Sequence, residues 1–514
     1  MGAPNMIPEI WSLVFQFLAT RNDLRNVCSV CRLFDAIATP LLYRSLIFRD
    51  SPIDGRHWSK LPGDEEVETQ DEADNGPFGL LCRLLDDRND ILRAFVREII
   101  FDELKDMRTV DRVWRKLQPP NDVLATLVNR LPNLEAIVLQ SKLPITDSFV
   151  NALLSHKKSP KLHLLGEDGR TRVDVKMPFV QKLHTSVNAQ ARAPRPRPET
   201  DRSGVRAGEP QRLALHEFFN AFPNLEELSV CINWLRGGCV MGGPPSPTRI
   251  LELVLSEEAT FPPLQSLSLS GYPVQGDEVA LWRDRILELA TRKMVNLKEF
   301  QITSYNRLSS SAALDAFLCS FDTLESLTAK GAVPSLTSVI HQSNLKHICL
   351  HTIEEPDRER ETLDVEQIKD LNQHCPKLTT LEIDLDPNGT WPDDIVSVIA
   401  TGFKNLRRLS IHVGLGIAHA EAYHSMEEEF AQVLTKSKAQ GFAKRFFELR
   451  GPSVLEMITL KTGEDLRWFP QWHPEYAIAE EYCTKIFEIY SPLEDKHEPR
   501  LNELESDYTR LIRG

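Results

Sequence analysis

No stretch of this sequence approaches the roughly 18–20 consecutive apolar residues that cross a bilayer, so no transmembrane helix and no membrane partner are predicted. Its opening, Met1-Gly2-Ala3-Pro4-Asn5-Met6, lacks the basic and apolar regions of a secretory signal. It also lacks the Ser or Thr that N-myristoylation wants at position 6. Cysteine is sparse: nine in 514 residues, odd in number and scattered. That excludes a disulfide framework and predicts a reduced protein of the cytoplasm or nucleus. Positive charge is in deficit. Sixty Lys and Arg against 74 Asp and Glu leave a net charge of −14, a poor basis for general nucleic-acid binding.

Recognisable catalytic motifs are missing too. There is no Gly-rich phosphate loop, no G-x-S-x-G elbow and no H-E-x-x-H helix. Gly414-Leu415-Gly416 lacks the third glycine of a dinucleotide loop. Cys28-x-x-Cys31 has no second pair to complete a zinc site. Asn388-Gly389-Thr390 spells a glycosylation sequon that chance explains in a chain of this length. No catalytic residue, cofactor or metal is expected.

What is present begins with a compact apolar start. Pro8 suits a first helical position, and Ile10, Leu13, Val14, Phe17 and Leu18 then recur at helical spacing. Asp23 is expected to cap a second helix carrying Leu24, Val27, Val30 and Cys31. Phe34, Ile37 and Ala38 predict a third, limited by Pro40. Tyr43, Leu46 and Phe48 alternate as in a strand. About forty residues cannot close a core alone, so the leftover apolar surface must cover a partner or the next domain.

The run Ile7-Pro8-Glu9-Ile10, Asp23-Leu24, Val27, Val30-Cys31-Arg32, Phe34 and Leu41-Leu42-Tyr43 resembles an F-box. Ile7 stands where Leu is commoner, and Phe34 where Trp is frequent; both stay large and apolar. The resemblance implies docking on the Skp linker of an SCF-type ubiquitin ligase and, through it, on the cullin core. It assigns Ile7, Pro8, Ile10, Val14, Leu18, Leu24, Val27, Val30 and Phe34 to that surface and the module's own core. The alternative is the three-helix start of an ordinary domain.

The rest of the chain repeats a unit, apolar-x-x-apolar-x-apolar. It begins at Val96, Leu134, Leu225, Leu264, Leu297, Leu324, Leu345, Leu378, Leu406 and Leu455, often just after an aromatic, Pro or Asn. From Leu225 to Leu406 the steps are 39, 33, 27, 21, 33 and 28 residues, a solenoid period of roughly 30. Helical patterns lie between them: Val279, Trp282, Ile286 and Leu289; Leu314, Phe317, Leu318 and Phe321; Val365, Ile368 and Leu371; Ile395, Val398 and Ile399. Units this small must stack to bury their apolar faces. The array resembles irregular leucine-rich repeats, similar to those of fungal F-box proteins. Leu225, Leu228, Val230, Asn233 and Leu235 match the full pattern, while Tyr272, Tyr305 and Asp386 replace the Asn elsewhere. An ordinary α/β domain with Leu-rich strands is the alternative.

The expected fold class is therefore α/β: an F-box followed by a solenoid with parallel strands on its concave face and helices outside. The expected domains are an F-box over 1–50, an acidic disordered insertion over 51–78 and first repeats over 79–187. An Arg/Pro-rich disordered insertion over 188–210 precedes second repeats over 211–465 and a helical C-terminal cap over 466–514. A long helix is expected over 426–449.

In each strand the residues between the apolar positions point to the concave face. This nominates Glu227, Ser229, Glu299, Gln301, Thr328, Lys330, His347, His351, Glu382, Asp384, Arg408 and His412 as the surface for an unknown target protein. His347, Cys349 and His351 project the same way, but residues along one strand rarely enclose a metal. The expected role is a non-catalytic substrate adaptor. An F-box scaffold acting without ubiquitin transfer, and a hydrolase or transferase on an α/β fold, are the alternatives.

Overall fold

The computed structural model describes residues 8–18, 20–48, 84, 90–102, 123–140, 145–166, 174–190, 212–233, 251–271, 278–304, 312–353, 360, 362–385, 391–414, 434–451, 453–463, 485–491 and 499–504. It is a mixed α/β structure rich in parallel strands, and it divides into two units. One comprises Met1–Val187, Pro198–Leu228 and Gly238–Glu252; the other comprises Asn188–Arg197, Ser229–Gly237 and Leu253–Gly514.

The first unit opens with α1 (Pro8–Gln16), α2 (Arg21–Cys28) and α3 (Arg32–Arg44). Thr20, not Asp23, caps α2: its hydroxyl oxygen accepts from the Asp23 amide at 3.1 Å, and its hydroxyl donates to the Asp23 carboxylate at 2.7 Å. Asp23 sits in the first turn, where the helix dipole favours it. Pro40 does not end the third helix. It lies inside α3, which runs on through Tyr43 to Arg44, so the strand begins at Ser45. The helix leads without a linker into β1 (Ser45–Phe48).

Then come α4 (Asp90–Phe95), β2 (Glu98–Phe101), α5 (Val123–Arg130), β3 (Ala136–Leu139), α6 (Asp147–Ser155), β4 (Lys161–Leu164) and β5 (Val180–Gln190). The strands β1 to β5 pair in parallel in chain order, with Ser45, Glu98, Ala136 and Lys161 in one register row. After them run β6 (Arg212–Ala214) and α7 (Leu215–Ala221), then β7 (Glu227–Asn233) and β8 (Leu251–Val254), whose residues divide between the two units.

In the second unit, strands and helices alternate. They are β9 (Ser266–Gly271), α8 (Glu278–Ala290), β10 (Glu299–Ser304), α9 (Ala312–Leu318), β11 (Ser326–Lys330) and α10 (Leu336–Ile340). They continue with β12 (His347–His351), α11 (Val365–His374), β13 (Thr380–Asp384), α12 (Asp393–Thr401), β14 (Arg408–Val413), α13 (Lys436–Arg450) and β15 (Met457–Thr462). The strands β9 to β15 pair in parallel in chain order. Each helix from α8 to α13 touches its sequence neighbours. Contacts confined to neighbouring repeats are those of a solenoid, and the arrangement is consistent with leucine-rich repeats.

The repeat has a clear physical logic. In each repeat unit the strand starts two residues after the leading apolar residue, and that residue is buried in the turn before it, as at Leu134, Leu225, Leu297, Leu345 and Leu406. The Asn just before it ties one repeat to the last. Asn133 donates to Ala94 O, Asn224 to Pro178 O, Asn344 to Asp322 O and Asn405 to Pro376 O, at 2.8–3.0 Å. The amide after the leading Leu donates to the preceding repeat in the same way, from Lys298 to Gln265 and on through Glu325, Lys346, Thr379, Arg407 and Glu456.

Gln342 does this work in a buried place. Its amide donates to Leu318 O and Phe321 O, both at 2.6 Å, and its carbonyl accepts from Leu324 N at 3.3 Å. Gln342→Ala strips three buried backbone groups of their partner. Urea denaturation should show a loss of about 3 kcal/mol. An unchanged midpoint would mean that those groups find other partners.

Within the expected helical cap, 466–484, 492–498 and 505–514 lie outside the described residues, and the described ones form strands instead. β16 (Ile486–Tyr490) pairs antiparallel with β15, and β17 (Arg500–Leu504) pairs antiparallel with β16. Period-two burial explains this: Phe487 and Ile489 are buried, whereas Tyr490 is exposed. The helix expected over 426–449 is described only as α13; 426–433 lie outside the described residues. So do Tyr272, Tyr305, Asp386, the acidic segment 63–76 and residues 191–210. No helix among the described residues is long and apolar enough to cross a membrane.

Candidate functional site

Helix α1 is apolar on two faces. Trp11 and Phe15, four residues apart, turn inward onto Phe34 of α3, with ring centroids 4.7 and 5.2 Å away. This aromatic trio is the module's core. The other stripe, Ile10, Leu13, Val14 and Phe17, faces out, and Phe17 is 87% exposed. Val30 and Leu33, flanking the start of α3, are exposed as well, Val30 at 65%. These six account for nearly half of the exposed large hydrophobic side chains among the described residues, although they span only residues 10–33. Larger exposed apolar patches often mark interaction surfaces.

Of the residues assigned from sequence, Pro8, Ile10, Val14 and Val30 are exposed. Leu18, Leu24, Val27 and Phe34 are half-buried, and Ile7 lies outside the described residues. Leu33 was missed, and so was the inward role of Trp11. Leu13 and Phe17 belonged to the helical stripe but not to the assigned set, although their i, i+3, i+7 spacing from Ile10 carried the signal. Beside the module a cavity of 420 Å³ is lined by Arg21, Leu24, Leu42, Arg44, Ile47 and Arg97, among others.

The open face of the strands is polar. In the first unit Glu227 accepts from His184 Nε2 at 2.9 Å and Lys182 Nζ at 2.5 Å. The His184 hydrogen bond, assisted by Lys182, holds its carboxyl down to about 2. His163, missed from sequence, shares this face; burial and Lys182 lower its pKa. In the second unit Glu299, Gln301 and Arg408 are exposed, while Thr328, Lys330, His347 and Glu382 are half-buried, as is Ser229. Burial opposes ionisation of Glu382, but Lys461 at 2.5 Å more than offsets this and keeps its pKa below the usual value. Burial pushes the Cys349 thiol well above its ordinary range, so it is no reactive thiolate.

Three assigned residues do not offer surface. His351, Asp384 and His412 lie on the same face, but they are 5%, 5% and 1% exposed. Arg360, after β12, is buried against them. His351 Nδ1 is 2.7 Å from Asp384 Oδ1 and 2.9 Å from His412 Nδ1. Thr352 N donates to Asp384 Oδ2 at 2.6 Å, and His412 Nε2 donates to Gly463 O at 2.5 Å. Arg360 Nη1 stands 3.1 Å from His412 Nδ1 and 3.5 Å from Asp384 Oδ1. Burial alone would raise the Asp384 pKa. The hydrogen bond from His351 and the Arg360 charge win, and hold it well below the usual range.

The sequence matches no family model and no curated protein. Among solved structures, a chain of the yeast Rad7–Elc1 complex is similar at 14% identity and a TM-score of 0.33, over 74% of this chain and 89% of that one. A chain of the TLR13–ssRNA13 complex is similar at 14% identity and a TM-score of 0.27, over 63% of this chain and 41% of that one.

Proposed function

We propose that this chain is the substrate-recognition subunit of an SCF-type ubiquitin ligase. The helices α1 to α3 dock on the Skp linker and, through it, on the cullin core. The open face of the strands holds a target protein, through exposed or half-buried residues such as Glu299, Gln301, Lys330, Glu382 and Arg408. The chain itself is non-catalytic and works in the cytoplasm or nucleus. Its contribution is proximity: a tethered target meets the charged conjugating enzyme at an effective concentration on the order of millimolar. The observation that carries this reading is the bare apolar stripe on α1, in a module whose sequence resembles an F-box.

The test is co-purification with recombinant Skp linker, followed by ubiquitin transfer in the presence of cullin and a conjugating enzyme. A one-to-one complex is expected. Absence of any complex sinks the reading, and a complex that never supports transfer points to the scaffold alternative. On the target side, proximity labelling with Glu299→Lys and Arg408→Glu should change the set of labelled proteins while Skp-linker binding persists. An unchanged set would remove the open face as the target surface.

A further inference from the structure

The buried His351, Asp384 and His412 come from three adjacent strands, β12, β13 and β14, and Asp384 pairs directly with His412 across the ladder. Their ligating atoms all lie within 4.8 Å of one another, and Asp384 Oδ1 is 3.6 Å from His412 Nδ1. Atoms sharing a zinc ion at about 2.0–2.1 Å stand about 3.4 Å apart in tetrahedral geometry. The donors are also oriented from behind. Gly463 O accepts a hydrogen bond from the Nε2–H of His412, which leaves its Nδ1 lone pair facing the cluster, and Thr352 N donates to the far oxygen of Asp384. Outer partners of this kind aim metal-bound imidazoles and carboxylates.

A cation already stands where these donors converge, the guanidinium of Arg360. We propose that the cluster is a site for a borderline divalent cation of the Zn2+ type, for which Arg360 is the resident competitor. The ion binds His351 Nδ1, Asp384 Oδ1 and His412 Nδ1, and the guanidinium moves out. His351 then carries its proton on Nε2, Asp384 is already ionised, and Arg360 keeps its charge. Two imidazoles and one carboxylate select zinc or a similar transition ion rather than calcium or magnesium, which want more oxygen ligands. Lys461 is paired with Glu382 on the same face and adds little net field. Coordination across strands differs from coordination along β12, where His347 and Cys349 precede His351 on a single strand, an arrangement that rarely encloses a metal.

The test uses the full chain, reduced and freed of metal, with Zn2+ alone as the probe. Mass spectrometry of the dialysed protein should find one Zn2+ per chain. Asp384→Asn should lose it. Arg360→Gln removes the competing charge and should bind Zn2+ at least tenfold more tightly than the wild type. Co2+ should give a visible absorption band in the wild type and in Arg360→Gln that Asp384→Asn abolishes. The proposal is overturned if neither the wild type nor Arg360→Gln retains Zn2+, or if a folded Asp384→Asn retains it. Should Asp384→Asn fail to fold, Arg360→Gln decides: unchanged affinity leaves the cluster as an arginine-filled structural network.

Discussion

Val14→Asp combined with Phe17→Asp should weaken Skp-linker binding at least 100-fold and leave the thermal midpoint unchanged. Both side chains face out from α1, so their loss removes nothing from the aromatic core of Trp11, Phe15 and Phe34. Burying an apolar side chain of this size contributes about 1.5–3 kcal/mol. A carboxylate in its place must be desolvated without a partner, which costs more still. Two such changes exceed the roughly 2.8 kcal/mol that a 100-fold change in affinity represents. Isothermal titration against the purified linker reads the effect. Phe15→Asp is the contrasting variant, because it puts a charge into the core and should unfold the module. Full-strength binding by the exposed-face double variant would mean that docking does not use this stripe.

Asp384→Ala should destabilise the second unit by about 3–5 kcal/mol, the range for breaking a buried ion pair from one side. Removing the carboxylate leaves the Arg360 guanidinium buried beside two imidazoles, and leaves Thr352 N without its acceptor. Asp384→Asn keeps the shape and part of the hydrogen bonding and should cost less. The native pKa of Asp384 is depressed below the ordinary 3.8. Its contribution is therefore complete well above that value and is lost as pH falls through it and below. Urea denaturation at neutral pH and at pH 3 measures both effects. A wild-type advantage over Asp384→Ala that does not shrink in acid would show that the carboxylate's charge is not what stabilises the cluster.

Much of the repeat was legible in the amino-acid sequence. Each apolar-x-x-apolar-x-apolar unit became a strand, because period-two burial and a Leu locked in the preceding turn are local patterns. Trp282, Leu314, Ile368 and Ile399 all face the core of the helices in which their spacing placed them. Errors arose where local rules compete. Thr20 outbid Asp23 as the cap of α2, Pro40 was absorbed within α3, and 486–490 and 500–504 took strands where a helical cap was expected. Lys161–Leu164 was missed as a strand because it has no leading Leu.

Periodicity alone therefore determined that the chain is a strand-and-helix array with an apolar helical start, since one repeating stripe of side chains suffices to set each element. Tertiary structure decided which stripes stay bare and which polar residues are covered. The inner face of α1 met Phe34, while Leu13 and Phe17 on the outer face stayed exposed. His351, Asp384 and His412, 33 and 28 residues apart in sequence, became one buried cluster only because parallel strands stack in register. Burial depends on what lies across the ladder, and no spacing along the chain encodes that.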